Sequence, residues 1–315
     1  MMKICLSIAS IGPEFQEMID ALSQHAQVDV VGLTDYDLTG YDIFIGKSMN
    51  VKALETADRL KAVFAYKTGV DDFPLKELLE RKIILVNSHV NADIIAEYAF
   101  GLCVSLVNRI AESDKKLRQG IWYDNQNPYW ESFFDMKVGI LGYGCIGKSI
   151  HALLRRNHIK TYTLARGKQY DNIGLVNTPE ELLQKTDLII LALPKTPQTD
   201  VIINQDTIQL LKGKYIVNVG RSNSIDQEAL YRALKSKWIA GAAIDTWDEK
   251  PSNSHTTLNP SKQPFTELDN IVLSPHQATR NKYGHRRYVR DITQKVIQYM
   301  QSGKITDQVN LESGY

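Results

Sequence analysis

The chain is poor in cysteine and carries almost no net charge. Its three cysteines, Cys5, Cys103 and Cys145, are odd in number and far apart, so they are typical neither of a disulfide framework nor of a zinc site. We expect three free, buried thiols in a reducing cytoplasm and no bound metal. The formal net charge of +1 gives no field that would draw the protein to nucleic acid or to an anionic membrane.

Long apolar runs are also missing from the sequence. The segment before Gly12 and Pro13 is too short for a signal peptide. The apolar run Ala99–Val107 ends at Asn108, well short of the ~18 residues that suggest a transmembrane helix. We therefore predict a cytoplasmic protein. Its composition is ordinary, with 43% hydrophobic and 23% charged residues, and a length of 315 residues favours two domains.

Two series of short apolar segments alternate with amphipathic ones, which predicts an α/β protein with two doubly wound parallel sheets. The first series comprises Lys3–Ala9, Val28–Leu33, Tyr41–Gly46, Leu60–Ala65 and Ile83–Asn87. The second comprises Lys137–Leu141, Lys160–Ala165, Asp187–Leu193, Tyr215–Val219, Ala240–Asp245 and Ile271–Ser274. Long helices are predicted over Asp93–Gln119 and Asn281–Ser302. The polar stretch 248–270 is long for a connection and is interpreted as a functional loop or a surface excursion.

A glycine-rich loop lies between a predicted strand and a predicted helix. Val138–Leu141 leads into the loop, and Lys148–Arg156 follows as a helix. The loop reads Gly142-Tyr143-Gly144-Cys145-Ile146-Gly147. Its first glycine permits a tight turn, the second lets a pyrophosphate approach the backbone, and the third lets helix and strand pack closely. With the free N–H groups of the helix N-terminus, this pattern predicts a dinucleotide site.

The next strand ends without the acidic residue that accepts hydrogen bonds from the ribose of NAD. Ala165 stands there, followed by Arg166 and Lys168. A guanidinium at Arg166 can bind a 2′-phosphate bidentately, and Lys168 can add a second contact. We therefore predict a preference for NADP(H), with NAD(H) still possible. The alternative is that both side chains are solvated turn residues.

Nearly the whole chain resembles the D-isomer-specific 2-hydroxyacid dehydrogenases. The matching stretches follow one another in the family's order: Gly69-Val70-Asp71, Asn87-Ser88, Asn91-Ala92, Ala96-Glu97, Gly120-x-Trp122, the dinucleotide loop, Leu193-Pro194-x-Thr196-Pro197-x-Thr199, Val217–Arg221, Gly241–Asp245 and Ser274-Pro275-His276-x-Ala278. The resemblance implies a flavodoxin-like substrate domain, residues 1–94 and 284–315, and an inserted Rossmann dinucleotide-binding domain, residues 95–283. It also implies a homodimer, because family members are commonly dimers joined through the nucleotide domain.

The resemblance implies reduction of a small 2-keto acid, such as glyoxylate, hydroxypyruvate or a pyruvate-like acid, to the D-2-hydroxy acid. Arg221 would hold the substrate carboxylate and carbonyl through paired N–H donors. His276 would donate a proton to the carbonyl oxygen as hydride reaches the carbon. The backbone N–H groups of Gly69 and Val70 would also hold the carboxylate, and Lys67 would face the same pocket. The remaining cofactor contacts implied are Pro194, Thr199, Val219 and Asp245, the last orienting the nicotinamide carboxamide.

The chain departs from the family's pattern at one position. The family places a glutamate five residues after the aspartate that Asp245 matches, where it pairs with the histidine; here that position is Lys250. Glu249 can take the role through a one-residue shift, Asp248 can take it, or the carboxylate is absent, and we favour Glu249. Two other functions stay open. One is a dinucleotide-sensing interaction protein with little or no turnover, and the other is oxidation of a different small anion such as formate or phosphite.

Overall fold

The computed structural model describes residues 1–122, 129–249, 259–305 and 307–314. It divides into two units, unit 1 with residues 1–91 and 281–315 and unit 2 with residues 92–280. The sequence analysis predicted two domains that fold independently, with boundaries at 94/95 and 283/284. Those boundaries stay a prediction.

Unit 1 contains a five-stranded parallel sheet in the order β2-β1-β3-β4-β5. The strands are β1 (Lys3–Ser7), β2 (Gln27–Val31), β3 (Ile43–Gly46), β4 (Ala62–Ala65) and β5 (Ile84–Val86). Its helices are α1 (Pro13–Ser23), α2 (Leu75–Glu80) and, at the end of the chain, α8 (Gly284–Ser302). This is the flavodoxin-like strand order, in which the direction of sheet growth reverses between β1 and β3.

Alternate residues of the unit 1 strands enter two separate buried clusters. Ile4 and Leu6 pack with α1 and α8 on one face, whereas Cys5 and Phe44 pack with α2 on the other. Successive side chains of a strand point to opposite faces of the sheet, so both faces are covered. That double burial explains why the strands read as continuous apolar runs.

Unit 2 contains a seven-stranded parallel sheet in the order β12-β11-β10-β9-β6-β7-β8. Its strands are β6 (Lys137–Leu141), β7 (Lys160–Leu164), β8 (Gly174–Val176), β9 (Leu188–Leu191), β10 (Tyr215–Asn218), β11 (Gly241–Ile244) and β12 (Ile271–Leu273). Its helices are α3 (Ala92–Val107), α4 (Ile110–Arg118), α5 (Cys145–Arg156), α6 (Pro179–Lys185) and α7 (Gln227–Lys235). The order is that of a Rossmann sheet with one added edge strand. The predicted fold class is therefore confirmed.

Three details differ from the sequence-based expectations. The short edge strand β8 was not predicted. The helix expected over Asp93–Gln119 is broken at Arg109, which has a φ of 55° and whose guanidinium binds Glu112 in the first turn of α4 at 2.6–2.7 Å. All three cysteines are free, but the expectation that all are buried was wrong for Cys145, which is exposed because it begins α5.

Two features of the described ranges concern membranes and metals. No single helix there combines the length and apolar composition needed to cross a membrane, although the bent pair α3 and α4 meets that criterion when joined. Nor do the same ranges contain a group of three or more His, Cys, Asp or Glu side chains placed to hold a metal ion.

Candidate active site

The dinucleotide loop occupies the turn between β6 and α5. Gly142 has a φ of 99°, and a Cβ atom there would lie 2.4 Å from the carbonyl oxygen of Ala192. A Cβ atom on Gly147 would lie 2.0 Å from the carbonyl oxygen of Gly142. Only glycine fits either position, the first because of the turn and the second because helix and strand approach so closely.

The middle of the loop is open on the side where a pyrophosphate would lie. A Cβ atom on Gly144 would meet nothing within 4 Å, and this residue caps α5 without any side-chain hydrogen bond to the first turn. The first N–H groups of α5 thus face open space, as an anion site requires. Cys145 is exposed at the same helix start, while Ile146 packs on the core beneath. These residues fit a dinucleotide.

A tight turn at the end of β7 carries the predicted 2′-phosphate contacts. Arg166 and Gly167 have φ values of 45° and 70°, and Lys168 donates its N–H to the carbonyl of Ala165 at 2.8 Å. A positive φ is costly for a residue with a side chain, and such strain often marks a functional position. Arg166 and Lys168 are both exposed. Because β7 is hydrogen-bonded to β6, the turn lies beside the dinucleotide loop.

Aromatic packing links this turn to the loop. The ring of Tyr143 lies edge-on to that of Tyr170, with centroids 4.6 Å apart, and edge-on to that of His151 at 5.9 Å. Burial lowers the pKa of His151, with a further contribution from Arg155, so its ring is favoured as neutral. Tyr143, predicted as a cofactor contact, thus also supports the segment that carries Arg166.

The predicted cofactor contacts after β9 mostly shape their own loop. The Thr199 hydroxyl donates to the carbonyl of Pro194 at 2.6 Å and accepts the N–H of Thr196 at 3.0 Å. Thr199 is buried, Pro194 is half-buried, and Val219 belongs to the hydrophobic core. The hydroxyl of Thr199 therefore maintains the loop that follows β9.

Arg221 lies just past the end of β10, in a turn fixed by Asn218. The Asn218 side chain accepts the N–H of Gly220 at 3.0 Å and donates to the carbonyl of Arg221 at 3.0 Å. Nη1 of Arg221 donates back to the carbonyl of Gly220 at 3.0 Å. Arg221 is half-buried at the sheet edge, and its planar guanidinium has the geometry that binds a carboxylate bidentately.

His276 lies in an exposed turn after β12 with a φ of 54°. The buried carboxylate of Asp245, after β11, accepts the hydroxyl of Ser274 and the N–H groups of Gln277 at 2.7 Å and Ala278 at 3.1 Å. Hydrogen bonds to a charged acceptor are the stronger kind, so Asp245 anchors the turn on both sides of the histidine. Its inferred contact with the nicotinamide stays a prediction.

Two aromatic residues complete the support of this turn. The indole N–H of Trp247 donates to the carbonyl of Ser274 at 2.8 Å, and the Tyr98 hydroxyl is 2.9 Å from Ser274 Oγ. Neither residue was given a role from the sequence, and Asn218 entered there only as part of the matching stretch Val217–Arg221. The sequence feature that could have pointed to this support is Trp247, an aromatic residue two positions past Asp245 in an otherwise polar stretch.

The candidate carboxylate partners of His276 lie in the segment that follows Trp247. Asp248 and Glu249 are both exposed, and the backbone N–H of Glu249 donates to the carbonyl of Pro260 at 3.2 Å. Lys250 and residues 251–258, which belong to the polar stretch interpreted as a functional loop or a surface excursion, lie outside the described residues. The role of Glu249 stays a prediction.

Unit 1 presents its predicted substrate residues in the loop after β4. Lys67 Nζ is 2.5 Å from Asp72 Oδ2, and Val70 is buried. Within the described ranges, neither Gly69 nor Val70 has a hydrogen-bond acceptor for its N–H. Two successive N–H donors are therefore left for an anion.

Residues to which the sequence analysis gave no role hold this loop. Asn87 Nδ2 donates to the carbonyl of Thr68 at 2.5 Å, and Ser88 donates its N–H to the carbonyl of Lys67 at 3.1 Å. The Thr68 hydroxyl lies 2.8 Å from that of Tyr288 on α8. The loop between Lys67 and Val70 is thus fixed by β5 and α8.

Comparison with known proteins gives a consistent assignment. Residues 100–278 match the family model of the D-isomer specific 2-hydroxyacid dehydrogenase NAD binding domain. A glyoxylate reductase of Thermofilum pendens is 31% identical over 241 residues, covering 73% of this chain and 69% of that protein. The crystal structure of a Pyrococcus horikoshii OT3 protein matches with a TM-score of 0.83 and 27% identity, covering 98% of this chain and 95% of the other. An NADPH-dependent glyoxylate/hydroxypyruvate reductase of Sinorhizobium meliloti, solved with NADP and malonate, shares the fold at a TM-score of 0.83 and 20% identity, covering 99% of this chain and 98% of the other.

Proposed function

Because the chain belongs to the D-isomer-specific 2-hydroxyacid dehydrogenases, an oxidoreductase family that uses NAD(P), we propose that it reduces a small 2-keto acid to the D-2-hydroxy acid. One observation carries the proposal. Arg221, Asp245 and His276 follow three neighbouring parallel strands, β10, β11 and β12, and the dinucleotide loop follows β6 of the same sheet. Carboxyl ends of parallel strands meet at one edge, so the anion-binding and proton-donating groups share it with the cofactor loop.

Each residue has a role in the proposed reaction. Arg221 binds the substrate carboxylate bidentately and orients the carbonyl. In unit 1, the N–H groups of Gly69 and Val70 are predicted to bind a substrate carboxylate. A bound reduced nicotinamide supplies the hydride. The carbonyl oxygen gains negative charge, and His276 transfers a proton to it, which yields the hydroxyl group. Asp245 keeps His276 in place, and Glu249 pairs with it.

We further propose that NADP(H) is the preferred cofactor. The turn at Arg166 presents two exposed cations and no carboxylate beside the dinucleotide loop, which suits a 2′-phosphate. A 2′-phosphate adds charge-assisted hydrogen bonds that the ribose hydroxyl of NAD cannot make.

The test is a panel of 2-keto acids with NADPH and with NADH, followed by the loss of absorbance of the reduced cofactor. Glyoxylate comes first, with hydroxypyruvate and pyruvate beside it, and we expect turnover that is faster with NADPH. Binding of NADPH without turnover of any acid would instead favour a dinucleotide-sensing protein. Turnover of formate or phosphite alone would favour the other alternative.

Two further properties stay predictions. We expect a homodimer, which light scattering of the purified protein measures directly. We expect a cytoplasmic location, which fractionation of the source cells would test.

A further inference from the structure

Ser274 lies two positions before His276, and each of its polar groups is engaged. Its N–H donates to the carbonyl of Ile244 on β11 at 2.9 Å. Its carbonyl accepts the N–H of His276 at 3.1 Å and the indole N–H of Trp247 at 2.8 Å. Its hydroxyl donates to the carboxylate of Asp245. Because Ser274 is only 4% exposed, water competes little for these contacts, and the turn of the histidine begins from a fixed residue.

The hydroxyl contacts of Ser274 run in one direction. Its Oγ atom also lies 2.9 Å from the hydroxyl of Tyr98, in the second turn of α3. A serine hydroxyl has a single hydrogen, and here that hydrogen is donated to Asp245. Tyr98 must therefore donate to Ser274. We call these three side chains, from the Tyr98 hydroxyl through Ser274 to the Asp245 carboxylate, the hydroxyl relay.

The hydroxyl relay ends on the oxygen that holds the other side of the histidine turn. Asp245 Oδ1 accepts both the Ser274 hydroxyl and the N–H of Gln277, the latter at 2.7 Å, while Oδ2 accepts the N–H of Ala278 at 3.1 Å. A hydroxyl that accepts a hydrogen bond becomes a better donor, and this effect is larger in a buried site. Donation from Tyr98 therefore strengthens the bond that fixes Oδ1.

His276 needs this support because of its backbone conformation. Its φ of 54° is unfavourable for a residue with a side chain and persists only where the surroundings enforce it. The hydroxyl relay fixes Ser274 on one side of the histidine and Gln277 on the other. The Tyr98 ring packs against the buried cluster that includes Ala278, so the relay begins on the hydrophobic core.

We propose that Tyr98 and Ser274 are positioning residues for the proton transfer and act on His276 through Asp245. The inference rests on the proposed function, because it requires His276 to be the proton donor. Their role requires no contact with the substrate or the cofactor. Loss of the hydroxyl relay should therefore slow the reaction of the bound complex without weakening the binding of either ligand.

The first variant, Tyr98→Phe, removes one hydroxyl and keeps the ring on the core. The measurement is the single-turnover rate of NADPH oxidation at a saturating concentration of glyoxylate, or of whichever acid of the panel above is reduced fastest. We expect this rate to fall about threefold to tenfold, the range for one hydrogen bond between neutral groups. The KM for the acid and the Kd for NADPH should each change by less than about twofold.

The second variant, Ser274→Ala, interrupts the hydroxyl relay at its centre. It removes a donor to the carboxylate and leaves the Tyr98 hydroxyl without its acceptor, so the rate should fall about tenfold to a hundredfold. Ser274→Thr keeps the hydroxyl and should restore most of the rate. The double variant Tyr98→Phe/Ser274→Ala should be no slower than Ser274→Ala alone, because Tyr98 acts through the serine.

Tyr215→Phe is the matched control. Tyr215 is also a half-buried tyrosine of unit 2, and its hydroxyl donates to Glu131 Oε1 at 3.1 Å. It is the first residue of β10 and so lies at the amino edge of the sheet, whereas Arg221 follows the other end of the same strand. The variant should keep the single-turnover rate of the wild type.

The outcomes separate the two proposals. If the wild type reduces no 2-keto acid, the proposed function fails and the hydroxyl relay fails with it. If the wild type is active and Tyr98→Phe keeps the full rate, the relay alone is wrong. Losses that multiply in the double variant, or an equal loss in Tyr215→Phe, would also overturn it. So would a raised KM or Kd at an unchanged rate, because Tyr98 would then act on binding.

Discussion

The carboxyl edges of the two sheets are built differently. In unit 2, Arg221 and His276 lie in turns that buried polar side chains fix through short hydrogen bonds, Asn218 for one and Asp245 for the other. In unit 1, Lys47 is an exposed cation over an aromatic ring. The difference suggests that groups proposed to touch the reacting atoms need fixed turns, whereas Lys47, within the described residues, is held by a ring contact alone and needs no such turn.

Two buried aspartates, one in each unit, also differ in the edge of the sheet at which they lie. Asp42 and Asp245 are each 1% exposed, and each accepts backbone N–H groups. Asp42 lies just before β3 at the amino edge of the unit 1 sheet and binds Lys3 at the start of β1. Asp245 lies at the carboxyl edge of the unit 2 sheet and binds the turn of His276. Similar chemistry thus serves stability at one edge and, by our proposal, catalysis at the other.

The largest effect is expected from Arg221→Met. Methionine keeps most of the volume but removes every donor to the substrate carboxylate and carbonyl, so kcat/KM should fall roughly a hundredfold to a thousandfold. Binding of NADPH, followed by its fluorescence, should be unchanged. Arg156→Met, at the exposed end of α5, is the control and should retain full activity. Full activity in Arg221→Met would remove this residue from the mechanism.

A smaller effect is expected from Asp245→Asn. The amide offers a single acceptor oxygen to the three donors that the carboxylate holds, so the turn of His276 should loosen and kcat should fall about tenfold to a hundredfold. If Asp245 acts through this turn, the Kd for NADPH stays constant. A raised Kd with unchanged kcat would show that its role is toward the nicotinamide instead.

Cofactor choice should respond to Arg166→Ala. Loss of one bidentate contact with the 2′-phosphate should raise the KM for NADPH about tenfold, whereas the KM for NADH should stay the same. Because the arginine has a positive φ, Arg166→Gly is the companion variant, which removes the same charge without backbone strain. An equal effect on both cofactors in the two variants would contradict a 2′-phosphate site.

The sequence predicted those features for which backbone geometry or burial restricts the residue type. Glycine is required at 142 and 147 because an added Cβ atom would lie only 2.0–2.4 Å from a backbone oxygen. The continuous apolar runs follow from sheets buried on both faces. It was a poor guide to supports that join distant segments. Asn87 and Tyr288 hold the loop of Lys67 from β5 and α8, and nothing in their local sequence predicts that contact. The break of the predicted helix at Arg109 was not predicted because a single left-handed residue leaves the apolar pattern almost unchanged.

The smallest effect, and the one that sharpens the comparison of the two aspartates, is expected from Asp42→Asn. Burial raises the pKa of Asp42, but the N–H of Lys3 and the cations Lys61 and Arg59 outweigh it and hold the pKa below its ordinary value of 3.8. A carboxylate with a lowered pKa stabilises the fold above its unfolded pKa, and this contribution is lost as the pH falls through the folded pKa.

Both cations of Asp42 are more than half exposed, and asparagine still accepts the Lys3 N–H, so Asp42→Asn should cost only about 1 kcal/mol of unfolding free energy. Urea unfolding should show this difference above about pH 5 and show it shrinking as the pH is lowered below the unfolded pKa. The kcat of the variant should equal that of the wild type at every pH where both are folded. A loss of kcat comparable to that of Asp245→Asn would contradict the assignment of Asp42 to stability and of Asp245 to catalysis.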